Sequence, residues 1–115
     1  MTTDCLFCKI VAGEIPSTVV HETESTFAFR DINPQASTHV VVVPREHHPH
    51  AAALAEADPA LAGAVLAAAG EIARAEGVAE SGYRLVFNTG PDANQTVFHV
   101  HLHVIGGRPM TWPPG

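Results

Sequence analysis

The stretch His99-Val100-His101-Leu102-His103-Val104-Ile105 alternates histidine with an aliphatic residue. Successive side chains of a β-strand point to opposite faces, so the aliphatic residues would face the core of the protein. The three histidines would then share the other face, with neighbouring rings about 6.5–7 Å apart along the strand. Two imidazoles at that spacing can hold one tetrahedral phosphate group. The stretch therefore predicts a strand that packs on one face and carries chemistry on the other.

Three histidines on one face are compatible with two kinds of chemistry. Imidazole is both a nucleophile and a proton carrier near neutral pH, and three alternating histidines can also hold a zinc ion. The preceding loop favours phosphate, because Asn94, Gln95 and Thr96 offer amide and hydroxyl donors beside backbone N–H groups. The third alternative is an exposed polar face without a function, and the strict alternation of histidines counts against it.

The whole chain predicts one α+β domain. Its 115 residues are 46% hydrophobic and 16% charged, which suits a single folded core. A short helix is expected after an N-cap at Asp4, and a long one after the Asp58-Pro59 N-cap, ending at Gly77. We expect an antiparallel sheet of about five strands, covered on one side by one long and one short helix. The predicted strands are Val19–Glu22, Ser25–Arg30, His39–Val43, Tyr83–Asn88 and Val97–Ile105.

Charge and hydropathy exclude several classes of protein. The formal net charge of -6 argues against a nucleic-acid groove, which normally shows a basic face. No apolar run is long enough to span a membrane, and the N-terminal residues MTTDCLFCKI lack the apolar core of a signal peptide. We therefore expect a cytoplasmic protein that binds neither nucleic acid nor membranes.

Cys5 and Cys8 form a C-x-x-C pair at the first predicted helix, which is half of a zinc site. A redox role would need a strand before the pair, and a disulfide is disfavoured in a cytoplasmic chain. His47, His48 and His50 are candidate nitrogen ligands. From the residues alone, a zinc site and a pair of reduced, buried thiols both remain open.

The histidine stretch resembles the His-φ-His-φ-His-φ-φ signature of the histidine triad (HIT) family, in which φ is apolar. The similarity runs from about Asp4 through the tail at 106–115, and is greatest to the histidine triad nucleotide-binding proteins with purine nucleoside phosphoramidase activity. It implies a HIT-like domain at 4–108 and a C-terminal tail at 109–115 that completes the active site. It also implies a homodimer, in which Trp112 of the tail reaches the neighbouring subunit's pocket and helps to select substrate.

The resemblance implies a hydrolase of purine nucleoside 5′-monophosphoramidates. His101 would attack the α-phosphorus and form a covalent nucleotidyl-histidine, which water then cleaves. His103 would donate to a phosphate oxygen, and His39 would lie behind the nucleophile and fix the tautomer of His101. A dinucleoside polyphosphate hydrolase and a non-catalytic purine-nucleotide-binding module remain as alternatives.

The same resemblance implies the residues that bind the nucleotide. Asp31 would accept hydrogen bonds from both ribose hydroxyls. Asn94 stands where a glycine is usual, and as asparagine it tolerates the left-handed backbone. Arg30 also departs from the family pattern, while Phe7 is as well explained by the core as by the pocket. The remaining expected contacts are apolar residues beside the purine, Ile10, Phe29 and Ile32, and polar residues at the phosphate, Asn88, Asn94, Gln95 and Thr96.

Bacterial members that this sequence resembles hold a structural zinc ion. The resemblance implies Cys5, Cys8, His47 and His99 as ligands, with His48 as the fallback. Four protein ligands close a tetrahedral site, which suits a structural ion rather than a catalytic one. On this interpretation, zinc is not required for catalysis and His99 supports the catalytic strand without transferring protons.

Overall fold

The computed structural model describes residues 4–115. The predicted α+β architecture is confirmed: five antiparallel strands form one sheet in the order β1-β2-β3-β5-β4. Within the described residues, no helix is both long and apolar enough to cross a bilayer. The strands are β1 (Val19–Glu22), β2 (Thr26–Arg30), β3 (Thr38–Pro44), β4 (Tyr83–Phe87) and β5 (Leu102–Gly106), and the helices are α1 (Leu6–Val11), α2 (Ala51–Ala57), α3 (Pro59–Ala75) and a short 3₁₀ helix (Pro91–Ala93).

Helices cover both faces of the sheet, so the prediction of helices on one side only is wrong. The central strand β3 is buried along its whole length, as its four successive valines predicted. Val40 and Val42 belong to the hydrophobic cluster that includes α2 and α3. Val41 and Val43 face the opposite way, into a second cluster that contains Phe7 of α1. This second cluster brings α1 against the histidine stretch, where Phe7 contacts the rings of His99 and His101.

The structure has three α-helices between residues 4 and 115, one more than the sequence predicted. The N-cap of α3 is confirmed, because Asp58 Oδ1 accepts a hydrogen bond from the Leu61 N–H at 3.0 Å. The extra helix α2 begins with an unusual cap, in which His50 Nδ1 accepts from the Ala53 N–H at 3.2 Å. His50, which the sequence offered as a candidate nitrogen ligand, is therefore a capping residue.

The N-cap of α1 also differs from the prediction. Its cap is Cys5 and not Asp4, because the Cys5 Sγ accepts from the Cys8 N–H at 3.3 Å.

The histidine strand is shorter than predicted. β5 begins only at Leu102, opposite Val42 of β3. Beyond that pair, the Val100 N–H donates to the His48 carbonyl at 2.7 Å. His48 lies past the end of β3. Pro44 at the end of β3 has no N–H with which to extend the ladder. The alternation of faces nevertheless holds, because Val100, Leu102 and Val104 are all buried in the cluster beside α3.

Candidate active site and metal centre

His101 is held in one tautomer by the backbone. Its Nδ1 lies 2.8 Å from the His99 carbonyl oxygen, which can only accept, so the proton is on Nδ1. The lone pair is therefore on Nε2, and no hydrogen bond within residues 4–115 occupies that atom. The Phe7 ring packs edge-on against the imidazole, with ring centroids 4.9 Å apart. His101 thus presents a fixed nucleophilic nitrogen.

His39 contacts His103 and not His101, which corrects the predicted position of His39 behind the nucleophile. The Gln35 N–H donates to His39 Nδ1 at 3.0 Å, so the proton of a neutral His39 ring is on Nε2. That Nε2–H donates to His103 Nδ1 at 2.8 Å. The proton of His103 is consequently on its Nε2. The sequence could not assign these roles, because the tautomer of His101 is set by a carbonyl two residues away.

Burial keeps the three rings neutral near pH 7. It lowers the pKa of His101, against the opposing effect of the His99 carbonyl. It also lowers the pKa of His39, although the Asp31 carboxylate raises it in part. Burial and the neighbouring rings of His101 and His39 lower the pKa of His103 to about 4. A neutral nucleophile and a neutral donor are therefore available at physiological pH.

Acid is expected to destabilise the fold through His103. Between its ordinary pKa of 6.5 and its folded value of about 4, the unfolded chain binds a proton that the folded chain does not. The unfolding free energy therefore falls as the pH falls through this window, and this contribution is fully present above it. Since one pKa unit corresponds to about 1.4 kcal/mol, wild type should lose a few kcal/mol more than His103→Gln between about pH 7 and about pH 4.5. Urea unfolding at both pH values measures this difference, and equal losses in the two proteins would contradict it.

Asp31 lies beside the two paired histidines. Its Oδ1 accepts from the Asn33 N–H at 2.8 Å, which is the hydrogen bond of an Asx turn. Its Oδ2 lies 3.4 Å from His39 Nε2 and 3.9 Å from His103 Nδ1. The carboxylate is thus fixed within a few ångströms of the histidine pair.

The apolar residues expected around a purine are divided between core and surface. Phe29 and Ile10 are buried in the cluster with Phe7, whose ring lies 5.4 Å from that of Phe29. Ile32 lies outside this cluster and is fully exposed beside Asp31. Phe7 is a core residue that also contacts His101, a role that its place in the sequence does not reveal.

The loop before the histidines is braced by Gln95, which corrects its predicted role at the phosphate. The Gln95 Oε1 accepts from the Gly90 N–H at 3.0 Å. Its Nε2 donates to the carbonyls of Pro49 and Val97 at 2.8 and 3.1 Å, so both amide hydrogens are used inside the protein. A buried amide must satisfy its polar atoms, and this one does so within the loop.

The other polar residues expected at the phosphate are exposed or half-buried. Asn94 has the left-handed backbone that its sequence position predicted, with φ of 62°. Asn88 follows the end of β4 and is half-buried. Thr96 is exposed and lines a cavity of about 550 Å³ beside Cys5 and His47. The loop therefore places Thr96 beside Cys5 and His47, just before the histidine stretch.

The four predicted metal ligands come together in the structure. The ligand atoms of Cys5, Cys8, His47 and His99 all lie within 4.8 Å of one another. The two Nδ1 atoms are 3.2 Å apart, and the Sγ–Nδ1 distances are 3.4–3.5 Å. Ligands bound to one zinc ion at 2.0–2.3 Å are separated by about 3.3–3.8 Å. The cluster therefore has nearly the dimensions of a tetrahedral zinc site.

The tautomer of His99 also suits a metal. Its Nε2–H donates to the Pro44 carbonyl at 2.8 Å, which leaves the Nδ1 lone pair directed at the cysteines. Burial lowers the pKa of this ring to about 4, so it is neutral at pH 7. His99 thus links two sites, because its side chain joins the cluster while its carbonyl holds His101. His48, the fallback ligand, instead contacts Glu46 at 2.8 Å.

A second group, Asp31, His39 and His103, is equally close-packed but does not suit a metal. A neutral His39 that bound a cation through Nε2 would carry its proton on Nδ1. That proton would then face the Gln35 N–H, which already donates to Nδ1 at 3.0 Å. The backbone therefore favours a hydrogen-bonded histidine pair at this position.

The C-terminal segment is tied to the rest of the domain by two arginines. Arg84 of β4 donates to the Thr111 carbonyl, and Arg108 donates to the Gln35 carbonyl at 2.9 Å. Trp112 is 82% exposed and therefore packs little against its own chain. Neither arginine was predicted as a site residue, because nothing in their sequence neighbourhood reveals which carbonyl they would reach.

The chain is similar in sequence to known proteins over most of its length. The HIT domain model matches residues 12–110. The chain is 48% identical over 113 residues to the 14 kDa zinc-binding protein of Zea mays, and the aligned residues cover 96% of this chain and 87% of that protein. It is 45% identical over 113 residues to Adenylylsulfatase HINT1 of Arabidopsis thaliana, covering 96% of this chain and 76% of that protein.

A solved structure shows the same fold. The HIT family hydrolase from Legionella pneumophila Philadelphia 1 is 51% identical and has a TM-score of 0.93, covering 96% of this chain and 99% of that one. With His99 and His101 just before β5 and His103 within it, the match over residues 12–110 shows that this chain belongs to the HIT domain family.

Proposed function

We propose that this protein hydrolyses purine nucleoside 5′-monophosphoramidates through a covalent intermediate on His101. The observation that carries the proposal is the hydrogen bond from His101 Nδ1–H to the His99 carbonyl at 2.8 Å. This bond leaves the lone pair of His101 on Nε2, and burial keeps the ring neutral. Nucleophilic catalysis needs that combination of a fixed direction and an unprotonated nitrogen.

The reaction would proceed in two displacements at phosphorus. His101 Nε2 forms a bond to the α-phosphorus, and the P–N bond of the substrate breaks. The amine leaves with that electron pair and takes up a proton from the medium. Water then attacks phosphorus, the bond to His101 breaks, and a proton returns to the medium. The nucleoside monophosphate is released and His101 is again neutral.

His103 would stabilise the charge of the transferring phosphoryl group. Its Nδ1 is occupied by His39, so its Nε2–H is available to donate to a non-bridging oxygen. A neutral donor held in advance needs no reorganisation when charge develops on that oxygen. Thr96, Asn88 and the backbone near Asn94 would supply the remaining donors to phosphate.

Asp31 would bind the ribose, and its removal should weaken substrate binding. A carboxylate accepts hydrogen bonds from both ribose hydroxyls, and charge-assisted bonds of this kind are strong. We expect Asp31→Asn to raise KM by about 10–100-fold and to lower kcat less. Steady-state kinetics on an adenosine phosphoramidate would measure both. Because asparagine can still accept from the Asn33 N–H, the turn should persist; an unchanged KM would remove Asp31 from the ribose site.

The purine would lie against exposed apolar side chains. Ile32 is fully exposed next to Asp31, whereas Phe29 and Ile10 are buried. Trp112 is also exposed, and we propose that it reaches the pocket of a second subunit in a homodimer. The outer edge of β4, where Leu85 is exposed, and the exposed Leu66 of α3 would form that interface.

We propose that Cys5, Cys8, His47 and His99 hold a structural zinc ion. When bound, zinc would supply no open coordination position, and its role would be to fix α1 against the segment that carries His101. The zinc-binding protein of Zea mays, at 48% identity, supports this assignment. Cysteine ligands also agree with the reducing cytoplasm that the sequence predicts.

Other leaving groups are the main competing substrates. The relative in Arabidopsis thaliana is named an adenylylsulfatase, and adenylylsulfate carries sulfate on the phosphate of adenosine monophosphate as a mixed anhydride. Dinucleoside polyphosphates are a further alternative. A panel of an adenosine phosphoramidate, adenylylsulfate and a dinucleoside polyphosphate would rank them by kcat/KM. Highest efficiency on the phosphoramidate is the expected result, and binding of nucleotide without turnover of any of the three would favour the non-catalytic module.

A further inference from the structure

The turn at residues 31–35 orients two groups of the site at once. The Asn33 N–H holds Asp31 Oδ1 at 2.8 Å, and the Gln35 N–H holds His39 Nδ1 at 3.0 Å. The Gln35 side chain closes the turn, because its Nε2 donates to the Asn33 carbonyl at 2.9 Å. The position of the Gln35 backbone therefore sets the tautomer of His39. Through the hydrogen bond between His39 and His103, it also sets which nitrogen of His103 carries the proton.

One side chain from a distant part of the sequence holds this turn. The Arg108 Nε donates to the Gln35 carbonyl at 2.9 Å, and its Nη1 lies 3.3 Å from the Pro109 carbonyl. The guanidinium is always protonated, so the bond to Gln35 is charge-assisted. Arg108 thus connects the start of the tail to the turn.

The backbone before Arg108 is shaped for this contact. Gly107 has φ of 94°, a conformation that residues with a Cβ rarely adopt. A Cβ on Gly107 would also overlap the Ser37 hydroxyl. Gly106 pairs with Thr38 at the end of the β3–β5 ladder, which fixes the register of both segments. The glycine pair therefore allows the chain to pass close enough to the turn for Arg108 to reach Gln35.

We propose that Arg108 is a positioning residue for the histidine pair. It acts through Gln35 to hold the Nε2–H tautomer of His39, and through His39 it keeps the donor of His103 directed at the substrate. The inference rests on the proposed function, since it assigns His103 as the donor to the phosphoryl group. Without Arg108, the turn would shift and His39 would populate the other tautomer.

The test compares Arg108→Ala and Arg108→Lys with wild type and a matched control. Arg45→Ala is the control, because Arg45 Nε also donates to a turn carbonyl, that of Thr23, at 3.0 Å, but outside the site. Two readouts are needed: kcat/KM on an adenosine phosphoramidate, and the ¹⁵N chemical shifts of the His39 ring, which report its tautomer. If Arg108→Ala does not fold, Arg108→Gln takes its place.

We expect Arg108→Ala to lower kcat/KM by about tenfold and to mix the two His39 tautomers. Lysine should restore most of both properties, because it can still donate to Gln35, and Arg45→Ala should match wild type. A wild-type tautomer or wild-type kcat/KM in Arg108→Ala would overturn the proposal. If wild type itself does not turn over the phosphoramidate, the proposed function fails, whereas the ¹⁵N shifts still decide whether Arg108 holds His39.

Discussion

Replacing His101 with alanine is expected to lower kcat on an adenosine phosphoramidate by about 10³-fold or more, while nucleoside monophosphate binding changes little. The substitution removes the nitrogen that we propose as the nucleophile, so the two-step route would be lost. The proposed ribose and purine contacts lie elsewhere, at Asp31 and the apolar residues beside it. Steady-state kinetics and calorimetric titration with AMP would measure the two quantities separately.

The control for this experiment is another histidine outside the site. His50 caps α2 through its Nδ1, and asparagine is among the best N-cap residues, so His50→Asn should keep both the fold and wild-type activity. If His101→Ala retained more than about a tenth of wild-type kcat, His101 could not be the nucleophile. If His101→Ala lost both AMP binding and turnover, the ring would instead have a structural role.

Loss of the proposed zinc ion is expected to have the largest effect on stability. A ligand present at a thousand times its dissociation constant stabilises the fold by about 4 kcal/mol. For a domain of this size, about 1 kcal/mol corresponds to roughly 3–5 °C in Tm. We therefore expect Cys8→Ser to purify without zinc and to unfold at least ~10 °C below wild type in thermal denaturation. A strong chelator should lower the Tm of wild type in the same way.

His48→Ala separates the proposed ligand set from its fallback. His48 contacts Glu46 instead of the cluster, so this variant should keep its zinc and nearly its full Tm. Metal analysis of wild type purified under reducing, chelator-free conditions should find close to one zinc per chain. Less than ~0.2 zinc per chain would contradict the four-ligand site. If His48→Ala lost its zinc and a His47 variant kept it, His48 would be the zinc ligand in place of His47.

The fold was predictable where local patterns and tertiary packing agree. The valine run of β3 was expected to be covered on both faces, and every residue of that strand is buried. The Asp58-Pro59 signal placed the start of α3 correctly because both its cap and its proline act within one turn. By contrast, α2 begins at a histidine cap, which is outside the usual set of capping residues. Its alanine-rich sequence also runs on into α3 without a visible boundary except Asp58.

The candidate site was predictable in its residue types but not in its hydrogen bonds. Alternation alone placed the three histidines on one face, and the structure keeps that arrangement even where β5 has not yet begun. The partner of each ring depends on backbone atoms that no sequence pattern displays, such as the carbonyls of His99 and Pro44. His39 was therefore assigned to the wrong neighbour.

Gln95 shows the same limitation for the loop. Its amide is a chemically reasonable phosphate donor when only the sequence is considered. Burial changes the outcome, because a buried amide without internal partners is costly. The fold therefore uses Gln95 to hold the loop, and leaves exposed groups such as Thr96 to meet a ligand.

The most direct test of the account is to trap the intermediate. The protein would be mixed briefly with an adenosine phosphoramidate, quenched under conditions that preserve phosphorus–nitrogen bonds, and digested for mass spectrometry. We predict a peptide that carries one added adenylyl group on His101, absent from His101→Ala. An adenylyl group on a different residue, or rapid turnover with no modified peptide at any quench time, would contradict the covalent mechanism.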